Sequence, residues 1–419
     1  MWPFESHLPA HLAVAAALRD AGHEVAFYTA SRAREALDAE GLRLFPFQAV
    51  NQDEADRRVS AVLTLRRRPW RMWKHWREFL LGTVSAQLSD LNAVLRRWTP
   101  DTMVCDISML APILVLHEAR GIPVAVLSHL GYNLLRGSEQ AVPGPAGLKP
   151  RGWIARSLAG LARKAADLMT ADIPGRVSRL RTQNGLPPGR LRIAEMIARM
   201  PLVLIPGPAE LDYFYKNLPE SVRYVGPCLW PPAADVPPRS TAGRTPSVLV
   251  DEGTLYPPEP RFLRAAVRGL GRLPVAARVL AGKGRDISGL APDRMPRNVI
   301  LQPWQPPVLL TDSWDVLVTN GNTDSVMFAL SRGIPLVVVP STIDQQGTAR
   351  RVEHSGAGVR LGEALCTPAR LTKAVERVLN NPAFRAQARR LAGVLATYGG
   401  PGKAAGLLSD LAGGRAAVA

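Results

Sequence analysis

The sequence predicts an α/β protein made of two doubly wound domains, each with a parallel sheet and helices on both faces. Short apolar runs alternate with helical patterns such as PAHLAVAAALRDAG through both halves of the 419 residues, and this alternation is typical of parallel sheets. The stretch GPCLWPPAADVPPRSTAGRTPS, residues 226–247, is rich in proline and has no apolar periodicity. Such a linker is semi-rigid, and the chain is long enough for a domain on either side of it.

The apolar runs predict the strands. In the first half they cover residues 24–29, 43–47, 102–105, 122–127 and 202–206, and in the second half residues 247–250, 278–281, 298–301, 315–319 and 335–339. We therefore predict an N-terminal domain over residues 1–228, a linker over 229–246 and a C-terminal domain over 247–395. Residues 396–419 are predicted to form a helix that packs back on the N-terminal domain.

The beginning of the first domain departs from this pattern. A doubly wound domain normally opens with a strand that feeds its first turn, whereas the letters MWPFESHLP leave only three or four residues for that strand. We expect the first strand to be truncated. Either the natural start lies further upstream, or a short WPF stub fills the position at a cost in stability.

The charge of the chain raises the question of an anionic partner. The net charge is +17, but no nucleic-acid-binding motif is present, and an excess of Arg with abundant Ala, Gly and Pro is what a GC-rich coding sequence produces. Locally, residues 56–82 interleave Arg and Lys with Trp70, Trp73 and Trp76. A segment of this kind can lie on an anionic membrane surface. We favour the alternative, a solvated helix face whose tryptophans line an apolar acceptor cleft or the core.

The remaining composition excludes several classes. No apolar run reaches the ~18 residues of a membrane-spanning helix, and no signal-peptide pattern opens the chain. Cys105, Cys228 and Cys366 are isolated, with neither metal-ligand nor redox spacing. We predict a cytoplasmic protein that uses no metal and no nucleic acid, with peripheral contact at the inner face of the membrane through residues 56–82 left open.

One histidine and one aspartate are candidates for acid–base chemistry. His7 lies in the turn after the predicted first strand and before a helix that starts near Pro9, where a neutral imidazole could take a proton from a hydroxyl. A capping or core role is the alternative, and we expect structural roles for His11 and His23.

Asp106 follows an apolar strand of the same domain, so it faces the same crevice as His7 and could hold the other imidazole nitrogen. Asp101 lies at the wrong end of that strand. The alternative for Asp106 is an N-cap of the next helix, and the two roles are compatible.

In the second half, VTNGNTDSVMFALSRGIPLVVVPSTIDQQGTARRV, residues 318–352, predicts two strand–turn–helix units. Polar side chains follow the two strands at residues 320–325 and at Asp344-Gln345. The carboxyl ends of neighbouring parallel strands are where open α/β sheets bind ligands, so the sequence predicts a ligand site there.

These segments carry a resemblance to a known family. SHLPAHLAVAAALRDAGHEVAFYT, PDTMVCDIS, PSVLVDEGT, NVILQPWQPPVLL and the stretch from residue 318 occur in the order and spacing of GT-B glycosyltransferases of the UDP-glycosyltransferase-like family. The chain is similar to the actinobacterial branch that modifies natural products and lipids. The resemblance implies two Rossmann-like domains facing across a cleft. It also implies inverting, metal-independent transfer of a sugar from a UDP- or dTDP-sugar co-substrate, without a cofactor, to a hydroxyl of a hydrophobic small molecule or lipid.

The resemblance also implies roles for particular residues. His7 falls on the catalytic base and Asp106 on its assisting aspartate. Trp304 falls on the residue that stacks on the nucleobase, with Gln305 as the nearby amide. The implied donor-binding residues are Gly253, Thr254, Trp304, Gln305, Asn320, Gly321, Asn322, Thr323, Ser325, Asp344 and Gln345. Among them, Gly253-Thr254 and the turn of residues 320–325 would bind the diphosphate, the latter at a helix N-terminus, and Asp344-Gln345 would bind sugar hydroxyls.

The chain departs from the family pattern at several positions. Asn320 replaces a usual His, Asn322 and Asp324 replace glycines, and Phe328 replaces the Glu that often binds ribose. Pro307 replaces a Gln, and Ser6 replaces the Gly before the base. These departures leave the identity of the donor open. They also leave open the alternative that this protein is a weakly active enzyme or a catalytically silent binding partner. An epimerase on this fold would need carboxylate pairs in the cleft that the sequence lacks. The acceptor is expected to contact residues 56–82 and 128–153, which look apolar and roomy.

Overall fold

The computed structural model describes residues 1–65, 68–128, 168, 170–189, 192–212, 218–231, 244–290, 294–310 and 313–414. Its strands form three parallel sheets. The predicted acceptor segment 128–153 lies outside the described residues except for Ser128, as does most of the linker.

The strands are β1 (Ala26–Thr29), β2 (Arg43–Pro46), β3 (Met103–Cys105), β4 (Val124–Leu127), β5 (Leu202–Ile205), β6 (Val222–Tyr224), β7 (Ser247–Asp251), β8 (Ala276–Leu280), β9 (Val299–Gln302), β10 (Val316–Thr319), β11 (Leu336–Val338) and β12 (Gly358–Arg360). The helices are α1 (Leu8–Asp20), α2 (Arg34–Ala39), α3 (Gln52–Thr64), α4 (Pro69–Gly82), α5 (Val84–Leu95), α6 (His117–Arg120), α7 (Ile173–Gln183), α8 (Ile193–Ile197), α9 (Arg261–Leu270), α10 (Thr323–Ser331), α11 (Ile343–Ser355), α12 (Pro368–Asn380), α13 (Pro382–Leu395) and α14 (Gly400–Ala412).

In the N-terminal half, β1 pairs with β2, and β3 to β6 form a separate sheet in chain order. The first residues lie between these two sheets. The N-terminal ammonium of Met1 donates a hydrogen bond to Tyr28 O of β1 at 2.7 Å, and it is close enough to Asp106, just beyond β3, to interact with its charge. Trp2 is fully buried against the rings of Phe47 and Phe79. The WPF stub is therefore packed into the core, and it leads directly into the turn that carries His7.

The C-terminal half contains one six-stranded sheet with the order β12-β11-β10-β7-β8-β9. The chain runs from β7 towards one edge and from β10 towards the other edge. The crevice of such a sheet opens beyond the carboxyl ends of its two central strands. Here those ends are Asp251 on β7 and Thr319 on β10, which are paired in register.

The two halves are joined by packing and by a buried ion pair. Helix α14 lies on α1, where Leu408 and Leu411 share an apolar cluster with Ala10 and Val14. On the other side, Arg351 of α11 donates to Asp212 of the N-terminal half at 2.8 Å, and both side chains are almost completely buried. The last described helix thus braces the helix that follows His7.

Each of the ten predicted strands overlaps a strand of the structure, whereas β6 and β12 were not predicted. Both are three residues long and contain an arginine and only one or two apolar residues, so they lack the apolar run on which the prediction relied. Both also lie at the edges of their sheets, where a strand buries less surface.

Candidate active site

The turn before α1 positions the His7 side chain next to the carboxylate of Asp106. The first turn of α1 carries Pro9, which suits a position where no backbone N–H is needed. The His7 backbone N–H donates to Phe4 O at 2.9 Å. His7 Nδ1 then lies 2.8 Å from Asp106 Oδ2, the side chain of Asp106 being 1% exposed and that of His7 12%. The dyad suggested by the position of these residues in the sequence is present.

Asp106 uses its two oxygens for two partners. Oδ1 accepts from the backbone N–H and the hydroxyl of Ser108, while Oδ2 faces His7. Asp106 thus closes a turn with Ser108 and does not cap the next helix, which begins at Leu110, so the N-cap alternative is wrong. Burial raises the pKa of Asp106, but the charge of His7 and its hydrogen bonds outweigh burial, and the pKa is well below the usual range.

The electrostatics of His7 follow from the same pair. Burial lowers the pKa of His7, whereas the charge and hydrogen bond of Asp106 raise it, and the net pKa lies above its ordinary value. Asp106 fixes Nδ1, so Nε2 is the nitrogen that can take a proton from a substrate. His11 is a structural neighbour: its Nδ1 contacts His7 O at 2.9 Å, and burial lowers its pKa to about 4.

A small cleft joins the two halves at His7. It is lined by Ser6, His7, Thr254, Leu255, Asn322, Thr323, Asp344 and Gln345. These residues come from the turn before α1 and from three turns at the carboxyl ends of β7, β10 and β11. The predicted base therefore opens on the same cleft as five of the predicted donor-binding residues.

The turn after β7 is held by two of the predicted donor-binding residues, Asn320 and Gln345. Asn320 Nδ2 donates to Glu252 O at 2.6 Å and to Leu255 O at 3.0 Å, and its Oδ1 accepts from Asn322 N–H at 3.0 Å. Gln345 Nε2 donates to Leu255 O at 3.3 Å. The two amides therefore shape the backbone on either side of Thr254.

Two glycines permit this close approach. Gly253 has φ +75°, and a Cβ there would lie 3.2 Å from the Asn320 amide. Gly321 has φ +91°, and a Cβ there would lie 2.9 Å from the Val338 side chain. Larger residues would be strained at both positions. Gly253 thus permits the close approach of its turn to Asn320, and Gly321 permits the close approach of the other turn to Val338.

Helix α10 begins at the edge of the cleft. Asn322 caps it by accepting from Asp324 N–H at 3.1 Å, and Thr323 lines the cleft. The Ser325 hydroxyl donates to Asp251 Oδ2. Asp344 stands at the start of α11, where its Oδ1 accepts from the Thr342 hydroxyl. The first N–H groups of α10 thus face a region where an anion would be stabilised.

A larger cavity of about 200 Å³ adjoins the small cleft. Its walls combine apolar residues of α1 with Trp304, Pro307 and Phe328 from the C-terminal half. Lys283 Nζ lies 5.4 Å from the centre of the Trp304 ring and 2.6 Å from Glu5 Oε2. Gln305 is half-buried and lines neither of these two spaces.

Comparisons with known proteins find relatives that are named glycosyltransferases. Residues 279–411 match the family model of the erythromycin biosynthesis protein CIII-like C-terminal domain. The chain is 29% identical to the 4'-demethylrebeccamycin synthase of Lentzea aerocolonigenes over 93% of each chain. It is 28% identical to the oleandomycin glycosyltransferase of Streptomyces antibioticus over 71% of this chain and 67% of that protein.

Solved structures agree on the fold. The glycosyltransferase of kitacinnamycin superposes with a TM-score of 0.73 at 22% identity, covering 98% of this chain and 97% of that one. The chain is a glycosyltransferase with the GT-B fold. The glycosyltransferase VinC in complex with dTDP superposes with a TM-score of 0.64 at 20% identity, covering 99% and 98% of the two chains.

Asp324 is an unusual feature of the C-terminal side of the cleft in this GT-B glycosyltransferase. It lines the larger cavity beside Asp251 and Ser325. Burial raises its pKa to about 7, with a further rise from the charge of Asp251 and an opposing effect of His7. Near neutral pH this carboxyl is therefore partly protonated, which weakens its repulsion of a bound phosphate.

Three charged residues of the GT-B donor side were not predicted as functional. Asp251 is fully buried and accepts from Gly253 N–H. Glu252 forms a buried two-pronged pair with Arg285 at 2.7 and 3.0 Å. Acidic residues directly after a strand were a usable signal for the first two, whereas nothing in the sequence pointed to Arg285. In the described part of the chain, no group of three His, Cys, Asp or Glu side chains is placed to hold a metal ion.

Proposed function

We propose that this glycosyltransferase moves a sugar from a UDP- or dTDP-sugar to a hydroxyl of a hydrophobic small molecule or lipid, with inversion and without a metal ion. The observation that carries the proposal is the His7–Asp106 pair at 2.8 Å, which opens on the cleft lined by Thr254, Thr323 and Asp344. A base on one wall and anion-binding turns on the other are the arrangement that direct displacement at an anomeric carbon requires.

In the proposed reaction, His7 Nε2 accepts the proton of the acceptor hydroxyl as its oxygen attacks the anomeric carbon. The bond from that carbon to the diphosphate oxygen breaks, and the nucleoside diphosphate leaves with the bonding electron pair. Asp106 holds the imidazole by Nδ1 and stabilises the imidazolium that forms. Attack opposite the leaving group inverts the anomeric configuration.

The departing diphosphate carries the developing negative charge. We assign its stabilisation to backbone N–H groups at the start of α10 and to the hydroxyls of Thr254 and Thr323, two residues that line the cleft. The proposal assigns this role to protein donors and to no metal ion. Asp344 would accept hydrogen bonds from sugar hydroxyls, and Gln345 and Asn320 would act by holding the turn that presents Thr254.

For the nucleoside, the proposal assigns the Trp304 ring as a stacking surface in the larger cavity. VinC, a structural neighbour, has been solved with dTDP, and we extend a thymidine or uridine diphosphate donor to this chain. The apolar acceptor is supported by relatives whose names refer to rebeccamycin and oleandomycin.

A donor panel tests the proposal. Wild type and His7→Ala are incubated with UDP- and dTDP-sugars and a set of hydrophobic acceptors, and donor consumption and product anomer are followed by NMR. We expect turnover by wild type with an inverted product and loss of turnover in His7→Ala. A retained configuration would exclude direct displacement, and turnover that survives His7→Ala would exclude His7 as the base.

The same panel separates the alternatives. Nucleotide binding without turnover for any donor and acceptor would indicate a silent binding partner. Conversion of a sugar nucleotide to its epimer, in the absence of an acceptor, would indicate an epimerase.

A further inference from the structure

The three tryptophans of helix α4, Pro69–Gly82, differ in their exposure to solvent. Trp73 and Trp76 pack against the N-terminal core, and the Trp76 ring lies 5.4 Å from the ring of Phe79. Trp70, in contrast, is 68% exposed. Two tryptophans of the segment are therefore partly buried against the core, and the third is exposed to solvent.

The basic residues of the segment fall into two groups, those that pair with a carboxylate and those that do not. Arg57 and Arg58 pair with Glu54 at 2.8 and 2.7 Å, and Arg77 pairs with Asp172 at 2.9 Å. These cations are therefore neutralised by neighbouring carboxylates.

Around Trp70 the cations are not neutralised. Arg68, Arg71 and Lys74 are exposed, and none of the three has an ion pair with a carboxylate in the described part of the chain. Trp70 and Lys74 are four residues apart and share one face of α4. We call Arg68, Trp70, Arg71 and Lys74 the α4 patch.

We propose that the α4 patch docks this protein on the surface of an anionic lipid bilayer. Indole rings are favoured at the level of the lipid head groups, because one edge is polar and the body is apolar. Exposed Arg and Lys side chains are attracted to anionic head groups. The α4 patch combines both requirements, because its exposed indole shares the start of one helix with three exposed cations that no carboxylate of the described residues pairs with, whereas a solvated face would need only the charges.

The orientation of the helix agrees with this assignment. Trp73 and Trp76 anchor α4 to the core, so Trp70 is carried on a rigid support and not on a loop. Glu78, the acidic residue of α4, is engaged by Arg176 at 2.6 Å, so it does not offset the cations of the α4 patch. The patch would thus meet a surface without rearrangement of the fold.

Vesicle partitioning tests this proposal without donor or acceptor, so its outcome is independent of the proposed reaction. Full-length protein is sedimented with vesicles of phosphatidylcholine alone and with vesicles containing phosphatidylglycerol, at physiological salt. We expect partitioning into the anionic vesicles only. Trp70→Ser should lower the partition coefficient at least about fivefold. Arg71→Gln/Lys74→Gln should lower it about 20-fold, since each basic residue near the surface contributes about a fivefold factor.

Matched controls separate the patch from the general positive charge of the chain. Arg264→Gln/Arg268→Gln removes two exposed cations from α9, and Leu365→Ser removes an apolar side chain that is 53% exposed. Both should change the partition coefficient less than twofold. Equal losses in the α9 and α4 charge variants would overturn the proposal, as would a Trp70→Ser variant that partitions like wild type.

A parallel titration with duplex DNA tests whether the α4 patch binds nucleic acid instead of a membrane. If the α4 variants lose affinity for DNA and keep their affinity for anionic vesicles, the patch is a nucleic-acid surface and the proposal is wrong. Circular dichroism of each variant controls for folding, which exposed substitutions of this kind leave intact.

Discussion

At the scale of single residues, the dyad makes a prediction about pH. The proposed base acts as neutral imidazole, and Asp106 raises the pKa of His7 above its ordinary value of 6.5. The acidic limb of kcat/KM in the wild type should therefore have its midpoint above pH 6.5, with activity rising as pH increases through it.

Asp106→Asn should shift the midpoint of that acidic limb to lower pH, in addition to lowering the activity. Without the carboxylate, burial is opposed only by the charges of Asp344 and Asp324, so the midpoint should fall below that of wild type. The maximal rate should drop about 10³–10⁴-fold, because the imidazole is no longer held in the correct tautomer. An unchanged limb in this variant, measured from pH 5 to 9, would contradict the dyad.

Asn320 provides a second test at this scale. We expect it to act through the turn that carries Thr254, because both Nδ2 hydrogen bonds go to backbone carbonyls. Asn320→Ala and Thr254→Val should each weaken dTDP binding, measured by calorimetry. If Asn320 positions the turn, the double variant should lose less than the sum of the two, by ~1 kcal/mol or more. Additive losses would favour a direct phosphate contact.

Asp324 should make stability depend on pH. Its pKa of about 7 in the folded chain exceeds the ordinary value near 4, so the folded state keeps a proton that the unfolded state has lost. The contribution of Asp324 to the free energy of unfolding should therefore fall as pH rises from 4 to 7, by on the order of 2–4 kcal/mol.

Asp324→Asn should remove this decline. Its advantage over wild type in urea unfolding should grow between pH 4 and 7 and then remain constant. The exposed Asp101→Asn variant is the matched control and should follow the wild-type curve. Parallel curves for wild type and Asp324→Asn would show that Asp324 is an ordinary exposed carboxylate.

At the scale of elements, much of the fold follows from the sequence because strands buried on both faces are apolar along their whole length. β4 and β5 illustrate this, since every residue of both is buried. The turns after β10 and β11 were predicted as a site because polar residues follow those strands directly, and the turn after β7 was added through the family resemblance. The side-chain directions within them were not predictable. Asn320 was expected to face a phosphate, and its amide instead faces two carbonyls 65 and 68 residues away in the chain.

The Glu252–Arg285 pair shows the same limit. The two residues are 33 positions apart, and no periodicity links a strand end to the loop after β8. Only the folded sheet, in which β7 and β8 are neighbours, brings them together. The Arg285 guanidinium also lies 4.1 Å from the centre of the Tyr256 ring, so the pair ties together the two loops beside the donor cavity.

This pair gives a prediction about stability. Arg285→Ala leaves a buried carboxylate without its partner and should cost about 3–5 kcal/mol in the free energy of unfolding. Glu252→Gln/Arg285→Met removes both charges and should recover most of that loss. Urea unfolding of the two variants checks this. A double variant no more stable than Arg285→Ala would mean that lost packing, not the unpaired charge, dominates.

At the scale of the whole molecule, the proposed site exists only because two domains face each other. The base and its aspartate belong to the N-terminal half, and the turns after β7, β10 and β11 belong to the C-terminal half. The Arg351–Asp212 pair and the packing of α14 on α1 connect the two halves. Among the described helices, none is long and apolar enough to cross a bilayer.

Because the proposed base and the proposed donor-binding turns lie in different halves, a substitution should be able to remove catalysis without weakening nucleotide binding. Removing the imidazole should abolish proton transfer and leave the donor-binding turns unchanged, because the amides of Asn320 and Gln345 that hold the Thr254 turn make their bonds within the C-terminal half. The general-base contribution to such a reaction is about 10²–10⁴-fold.

The most direct measurement is therefore made on one variant, His7→Gln, with the donor that wild type consumes. Its transfer rate at saturating donor and its dissociation constant for the corresponding nucleoside diphosphate are compared with those of wild type. The account predicts a rate at least about 100-fold lower with a dissociation constant within about twofold. A rate within about tenfold of wild type would contradict it.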